Sequence, residues 1–403
     1  PDLPKNYQIS QFDEPLAENG WLEVEIIEKD KEPYIKKIGI ERLHMEEDAG
    51  KLVHSGSDRL AGSKYSLVDY NRAGIALCEI VSKPDIRSGK EASEYASEIR
   101  RTVRYLGVSD GNMQEGSLRC DVNISVRKGP NAPFGTKVEI KNMNSFSAIQ
   151  KACDYEIARQ IEVYENGGKI FQETRLWDEA KQLTKSMRMK EGSSDYRYFP
   201  DPDLGPIEIT KAQKEIWFKE LPELPSKKRN KYVSQFGLSA YDARVISDEI
   251  SMANFFEETV ANGAEAKLAS NWVTSDIVGY LKSNKLSFSE LKLSPENLAE
   301  MINMISKNII SGKIAKEILP ELIQKNISPK KLVEEKGLAM ISDSSSILPI
   351  IDELINEHPN EVQAFKNGKT KLLGFFVGQL MKRTKGKADP KLANKLLMEK
   401  LNS

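Results

Sequence analysis

The 403-residue chain is 39% hydrophobic and 30% charged, with 59 Lys+Arg against 60 Asp+Glu and a mean hydropathy of −0.49. One core seldom organises more than about 150–250 residues, so two or three domains are expected, and no run approaches the roughly 18 apolar residues of a membrane span. Three scattered cysteines and three histidines exclude a Cys/His zinc cluster and a disulfide framework, which leaves a reducing compartment and a metal held by oxygen, Mg²⁺ before zinc.

The chain opens Pro1-Asp2-Leu3-Pro4, without an initiator Met or a basic and apolar leader. A cut amino terminus is expected, with any targeting segment lying upstream. Trp21–Glu28 and Tyr34–Leu43 are β-rich and flank the turn-like Lys29–Pro33, which predicts a hairpin. A helix is predicted at Gly89–Leu106: Ser88 and Glu91 form a capping box, Ala92, Tyr95, Ala96, Ile99 and Val103 recur at helical spacing, and Gly107 stops it. Strands at Ser117–Arg127 and Thr136–Asn142 follow, joined by the turn region Lys128–Gly135, and then a helix at Ala148–Tyr164 ending before Gly167-Gly168. Past about Thr210 helical periodicity takes over, with a break at Leu291–Pro295 where Ser294 caps a new helix that has Pro295 at its first position. No repeat of fixed period is present.

The two strands at 117–127 and 136–142 carry the chemistry. Period-two alternation places Leu118, Cys120, Val122, Ile124 and Val126 on one face, and Arg119, Asp121, Asn123, Ser125 and Arg127 on the other. The second strand adds Lys137, Glu139 and Lys141 to the polar face. Paired as a hairpin, they present two carboxylates among cations, an oxygen site for Mg²⁺ beside groups suited to phosphate, and Lys137, Arg119 and Arg127 are the candidate phosphate contacts. The same pattern also describes a half-exposed sheet whose outer face is charged. A second acidic cluster, Glu46-Glu47-Asp48, follows His44; neighbouring side chains on a strand point to opposite faces, so it can offer one ligand or be a solvated strand end. No phosphate loop, dinucleotide fingerprint or nucleophile elbow is present. Residues 366–403 hold ten Lys/Arg against two acids in a chain that is close to neutral as a whole. That local excess suits a phosphate backbone or a solvated helix face.

Several blocks resemble the B subunit of the tRNA-dependent amidotransferases, the GatB family of the GatCAB complex. They are Arg42–Lys51 (RLHMEEDAGK), Tyr65–Arg72 (YSLVDYNR), Gln114–Ser125 (QEGSLRCDVNIS), Phe134–Asn142 (FGTKVEIKN) and Lys190–Pro200 (KEGSSDYRYFP). The tail, around Gly378–Lys382 and Lys385–Ala388, resembles the YqeY-type domain that closes such subunits. The likeness covers essentially the whole chain.

The resemblance implies an α+β fold: a cradle domain at 1–210 with an antiparallel sheet, distantly like glutamine synthetase, then an all-α helical domain at 211–294 and an all-α YqeY-like tail at 295–403. It implies an enzyme that uses ATP and Mg²⁺ to phosphorylate the side-chain carboxylate of Glu-tRNA(Gln), and in many members of Asp-tRNA(Asn). Ammonia from a GatA-type glutaminase subunit then displaces the phosphate, and a GatC-type small subunit completes the heterotrimer. Carried over by motif, Glu47, Asp121 and Glu139 are catalytic Mg²⁺ ligands and Glu46 a further one. The family adds a Glu and a His near its own amino terminus, in a segment this chain is expected to lack. Lys382, Arg383, Lys385 and Lys387 would contact tRNA backbone by shape. The implied location is the bacterial cytoplasm or an organelle, without a membrane partner. Two other readings stay open: a tRNA-binding scaffold, indifferent to Asp121→Ala, and a free-standing carboxylate–amine ligase, indifferent to loss of 295–403.

Overall fold

A computed structural model describes residues 9–55, 64–189, 199–340, 344–384 and 386–402, and the chain divides into two compact units, Pro1–Pro222 and Glu223–Ser403. It is mixed α and β in the first and helical in the second among the described residues.

In the first unit, β1 (Ala17–Ile26) and β2 (Tyr34–Glu47) form the predicted hairpin, with Ile26 opposite Tyr34 and Ala17 opposite Leu43. Alternation buries Val24, Ile26 and Ile38 on the inner face, where Tyr95 packs. A small separate hairpin, β3 (Lys51–His54) with β4 (Ser66–Asp69), leads into β5 (Ala76–Ser82). β2 runs four residues past its expected end because β5 pairs along its other edge, setting Glu79 opposite His44 and Ala76 opposite Glu47.

Helix α1 (Gly89–Tyr105) starts as the sequence predicts, with Ser88 Oγ accepting the Glu91 N–H at 3.1 Å, and stops at Gly107, whose φ of +68° is a glycine conformation. The expected capping box is only half made. The Glu91 carboxylate accepts instead from the Arg87 N–H (2.7 Å) and the Tyr34 hydroxyl (2.9 Å), which ties the helix start to β2.

A four-stranded sheet follows, in the order of the chain: β6 (Val122–Ile124), β7 (Val138–Lys141), β8 (Glu173–Asp178) and β9 (Leu183–Met189). Helix α2 (Phe146–Glu165), capped by Ser145, carries the chain from β7 to β8, so that one pair is parallel and the others antiparallel. The strand predicted over 117–127 shrinks to Val122–Ile124. Before it, the chain turns at Gly116 (φ +80°), with the Ser117 N–H on the Asn112 carbonyl, and only three residues of β7 face it afterwards. A ladder ends where its partner ends.

Helices α1 and α2 cover one face of this sheet. Ala92, Ala96, Ile149, Ala152 and Cys153 pack there against Ile124, Ile140 and Trp177. Ile140 and Ile149 are wholly buried, and each such side chain contributes about 1.5–3 kcal/mol by leaving water. The wholly buried Glu156 is held by Arg159 Nη2 (2.6 Å), Gln160 Nε2 (3.0 Å) and Thr184 Oγ1 (3.0 Å), which makes a charge at that depth tolerable. Helix α3 (Lys211–Glu220) closes the unit, opened by a capping box of Thr210 and Gln213.

The second unit comprises α4 (Pro225–Ser234), α5 (Ala240–Ile246), α6 (Ile250–Ala261), α7 (Ala266–Asn271), α8 (Val278–Ser283), α9 (Pro295–Ser306), α10 (Gly312–Lys325), α11 (Pro329–Glu335), α12 (Ser344–Glu357), α13 (Pro359–Lys366), α14 (Leu372–Arg383) and α15 (Pro390–Asn402). Ser294 caps α9 with Pro295 at its first position, as predicted. α9 packs on α6, α7, α10 and α11, while α12–α15 gather a core of their own around Ile347, Ile351, Leu354, Phe376, Leu380 and Leu397.

Candidate active site

The face of the β6–β7–β8 sheet turned away from α1 and α2 carries Asn123, Glu139, Lys141 and Thr174, with Asp121 immediately before β6. Antiparallel pairing sets Asn123 opposite Glu139, and the same register carried two residues on brings Asp121 opposite Lys141. Lys141 Nζ lies 2.7 Å from Asp121 Oδ2 and 3.3 Å from Glu139 Oε1. On its far side the Glu139 carboxylate accepts from Thr174 Oγ1 at 2.9 Å, which fixes its orientation from the neighbouring parallel strand. Partial burial by itself would lower the Lys141 pKa. The hydrogen bond and charge of Asp121, with those of Glu139 behind them, outweigh it and hold the ammonium above the ordinary lysine value.

Two carboxylates therefore converge on one cation, and Asp121 remains about half exposed. Hard oxygen donors on a rigid ladder, open to solvent on one side, fit a divalent cation such as Mg²⁺. The sheet supplies the rigidity, because Val138 and Ile140 on the opposite face of β7 are wholly buried.

Glu47 ends β2, and the adjoining Asp48 connects this strand to the site. Asp48 Oδ2 accepts from Arg119 Nη2 at 3.1 Å and from Arg72 Nε at 3.0 Å, and Arg72 also donates to the Gly116 carbonyl. Arg119, two residues before Asp121, thus pins the loop entering β6 to the end of β2. The candidate phosphate contacts separate accordingly. Arg119 stays exposed while paired to Asp48, and Lys137 is exposed beside the start of β7. Arg127 clamps the 128–135 loop, with its guanidinium 4.7 Å above the Phe134 ring and a hydrogen bond to the Ala132 carbonyl.

Glu46, grouped with Glu47 by motif, faces the other way. Its Oε1 lies 3.3 Å from His44 Nε2 and accepts from Ser10 Oγ at 2.9 Å, and Glu79 Oε2 lies 3.5 Å from the same imidazole nitrogen. These three side chains bring ligand atoms within 4.8 Å of one another. Yet His44 is wholly buried and its Nδ1 meets no hydrogen-bond partner among the described residues. A metal-binding imidazole normally donates its second N–H, so this trio has the ligand atoms of a cation site but lacks the hydrogen bond that usually orients such an imidazole.

Residues 1–215 match the family described as the GatB/GatE catalytic domain, and residues 254–401 match the family described as the GatB domain. The B subunit of an aspartyl/glutamyl-tRNA(Asn/Gln) amidotransferase from Prochlorococcus marinus (strain AS9601) is 99% identical over 403 residues, all of this chain and 82% of that protein. A protein of the same name from Prochlorococcus marinus (strain MIT 9312) is 95% identical over 402 residues, covering 82% of its length. Another, from Synechococcus sp. (strain WH7803), is 71% identical over 401 residues, covering 81% of its length. The chain belongs to the GatB family of amidotransferase B subunits.

Two of the residues with a visible part in this GatB-family site, Lys141 and Asp48, stand in the polar face and the acidic cluster that the sequence shows, without a role assigned to either there. Lys141 follows Glu139 at the strand period, and Asp48 adjoins Glu47. Thr174 lies on a strand the sequence pattern did not show, so nothing announced it. In the tail, Lys382 is exposed at the end of α14, whereas Arg383 bonds to Glu353 at 3.1 Å and to Glu357, both on α12. That guanidinium holds the Glu357 carboxyl below its ordinary range. Lys387 Nζ donates to the Gly337 carbonyl at 2.5 Å. Lys385 and most of the Lys190–Pro200 block lie outside the described residues. No helix among the described residues is long and apolar enough to cross a membrane.

Proposed function

We propose that the chain performs the ATP-dependent amidation of Glu-tRNA(Gln), and of Asp-tRNA(Asn), as the GatB component of a bacterial heteromer with a GatA-type glutaminase and a GatC-type small subunit. The observation that carries the reading is the Asp121–Lys141–Glu139 arrangement, two carboxylates converging on one cation within a block that matches the family's catalytic domain.

A carboxylate is a poor acyl donor. Transfer of the ATP γ-phosphoryl group to a carboxylate oxygen, with ADP leaving, makes it a good one; the ammonia nitrogen then attacks the acyl carbon and inorganic phosphate departs. The protein's task is to place three reactants and neutralise phosphate charge. Asp121, Glu139 and Glu47 would hold Mg²⁺, which supplies that neutralisation when bound. Thr174 keeps the Glu139 carboxylate oriented, Arg119 and Lys137 offer exposed cations for phosphate oxygens, and the Asp48 ion pairs keep β2 and the loop before β6 together. In this reading the glutamine-synthetase-like cradle is residues 1–210, a helical domain spans 211–294, and the YqeY-like tail at 295–403 holds tRNA backbone, Lys382 offering an exposed cation.

The test is conversion of Glu-tRNA(Gln) to Gln-tRNA(Gln) by the assembled full-length complex, with ATP, Mg²⁺ and ammonium chloride in place of glutamine. Glu139→Ala is expected to cut turnover at least about 10²-fold with tRNA binding retained. Undiminished turnover would make these carboxylates structural and move the chain to a scaffold role.

A further inference from the structure

We propose that Lys141 is a resident counter-ion that occupies the metal position between Asp121 and Glu139 and is exchanged for the divalent cation when that cation binds. The inference rests on the metal reading of Asp121 and Glu139 given above.

Three observations carry it. The Lys141 ammonium already touches both carboxylates, at 2.7 and 3.3 Å, so it stands where a shared cation must stand. Its side chain is 40% exposed, and four rotatable carbons let the head swing into solvent without disturbing β7. The backbone on either side is held by wholly buried Ile140 and by the ladders to β6 and β8, and the Glu139 carboxylate is separately tethered by Thr174. The carboxylates can therefore keep their places while the ammonium leaves. Two like charges this close repel unless a cation lies between them. Lys141 supplies that cation before the metal arrives, and it competes with the metal afterwards, which keeps the ion exchangeable.

Removing the competing ammonium therefore strengthens metal binding, the opposite of what loss of a merely structural residue would do. Mn²⁺ binding to the full-length complex, read by electron paramagnetic resonance without nucleotide, tests this. Lys141→Met is expected to bind Mn²⁺ about three- to fivefold more tightly, the worth of one partly exposed ion pair. Glu139→Gln is expected to lose that binding. In the unmodified protein, Mn²⁺ should raise the rate at which an amine-acylating reagent labels Lys141, read by mass spectrometry, and this arm does not depend on any variant folding.

Unchanged or weaker Mn²⁺ binding in Lys141→Met, or labelling of Lys141 indifferent to Mn²⁺, would overturn the exchange while leaving Asp121 and Glu139 as ligands. Full Mn²⁺ binding by Glu139→Gln would overturn the metal reading itself, and the exchange with it.

Discussion

On β7 the cation Lys141 stands between two carboxylates of its own sheet face, whereas on α14 the cation Arg383 reaches across to Glu353 and Glu357 on another helix. The first grouping is local in the pattern: Glu139 and Lys141 are two apart, and Asp121 joins them through a single antiparallel register. The second spans 26 and 30 residues of chain and depends on how helices pack. A strand with a period of two tells which charges share a face. A lysine-rich helix does not tell which charges its neighbours will neutralise, so a count of local charge overstates what remains free for a ligand. Asp352 on α12 likewise takes Lys400, leaving less of the positive excess at 366–403 than the sequence suggests.

The sharpest way to separate the two regions is through their cores. Ile140→Ala, at a wholly buried site under the carboxylate face, is expected to cost about 2–5 kcal/mol. Phe376→Ala, in the core of α12–α15, should cost about 3–5 kcal/mol. Native-state hydrogen exchange would show each loss. The Ile140 variant should lose protection in α2 and β6–β9 and keep it in α12–α15, and the Phe376 variant should do the reverse. Loss of protection in both regions from either change would mean that they unfold together.

A smaller effect tests the paired and unpaired cations of the tail. Lys382→Glu is expected to weaken tRNA binding and lower the slope of log affinity against log salt by about one unit, as loss of one phosphate contact does. Arg383→Gln should change the affinity less than about twofold, because its guanidinium is already engaged by two carboxylates. Equal losses in both variants would mean that α12 releases Arg383 to the RNA, and the contrast between sheet and tail would then fail.

What the sequence made legible follows the same division. The β1–β2 hairpin, the helix caps at Ser88 and Ser294, the stop at Gly107 and the burial of Val138 and Ile140 opposite Glu139 are local consequences of pattern. The partners that finish each feature were hidden because they come from elsewhere in the chain: β5 extending β2 to Glu47, Tyr34 taking Glu91 from its capping box, Thr174 bracing Glu139, Asp48 pairing with the exposed Arg119. Glu46 and Glu47 illustrate both sides. Alternation says only one of them can face the site, and it took the pairing of β2 with β5 to gather Glu46 with His44 and Glu79.

The least of these effects concerns acid, and it compares one carboxylate from each unit. Glu173 on β8 and Glu257 on α6 are both partly buried, which alone would raise their pKa values. Ser186 and Arg175 around the first, and Lys228 and Tyr232 around the second, hold both below the ordinary range. A carboxyl depressed in the folded state stabilises the fold fully above its unfolded value, about 4.3 for Glu, and that stabilisation is lost as pH falls through the lower folded value. Both pairs therefore act at neutral pH and fail only in acid. Glu173→Gln and Glu257→Gln should each lower the urea midpoint at pH 7 and flatten its fall below about pH 4. Glu173 should show the larger change, because its carboxylate is the less exposed of the two and is paired to a guanidinium on a four-stranded ladder, while Glu257 is paired to two lysines and the Tyr232 hydroxyl. A steeper acid limb in either variant would mean that the carboxyl is raised in the folded protein, with burial winning over its partners.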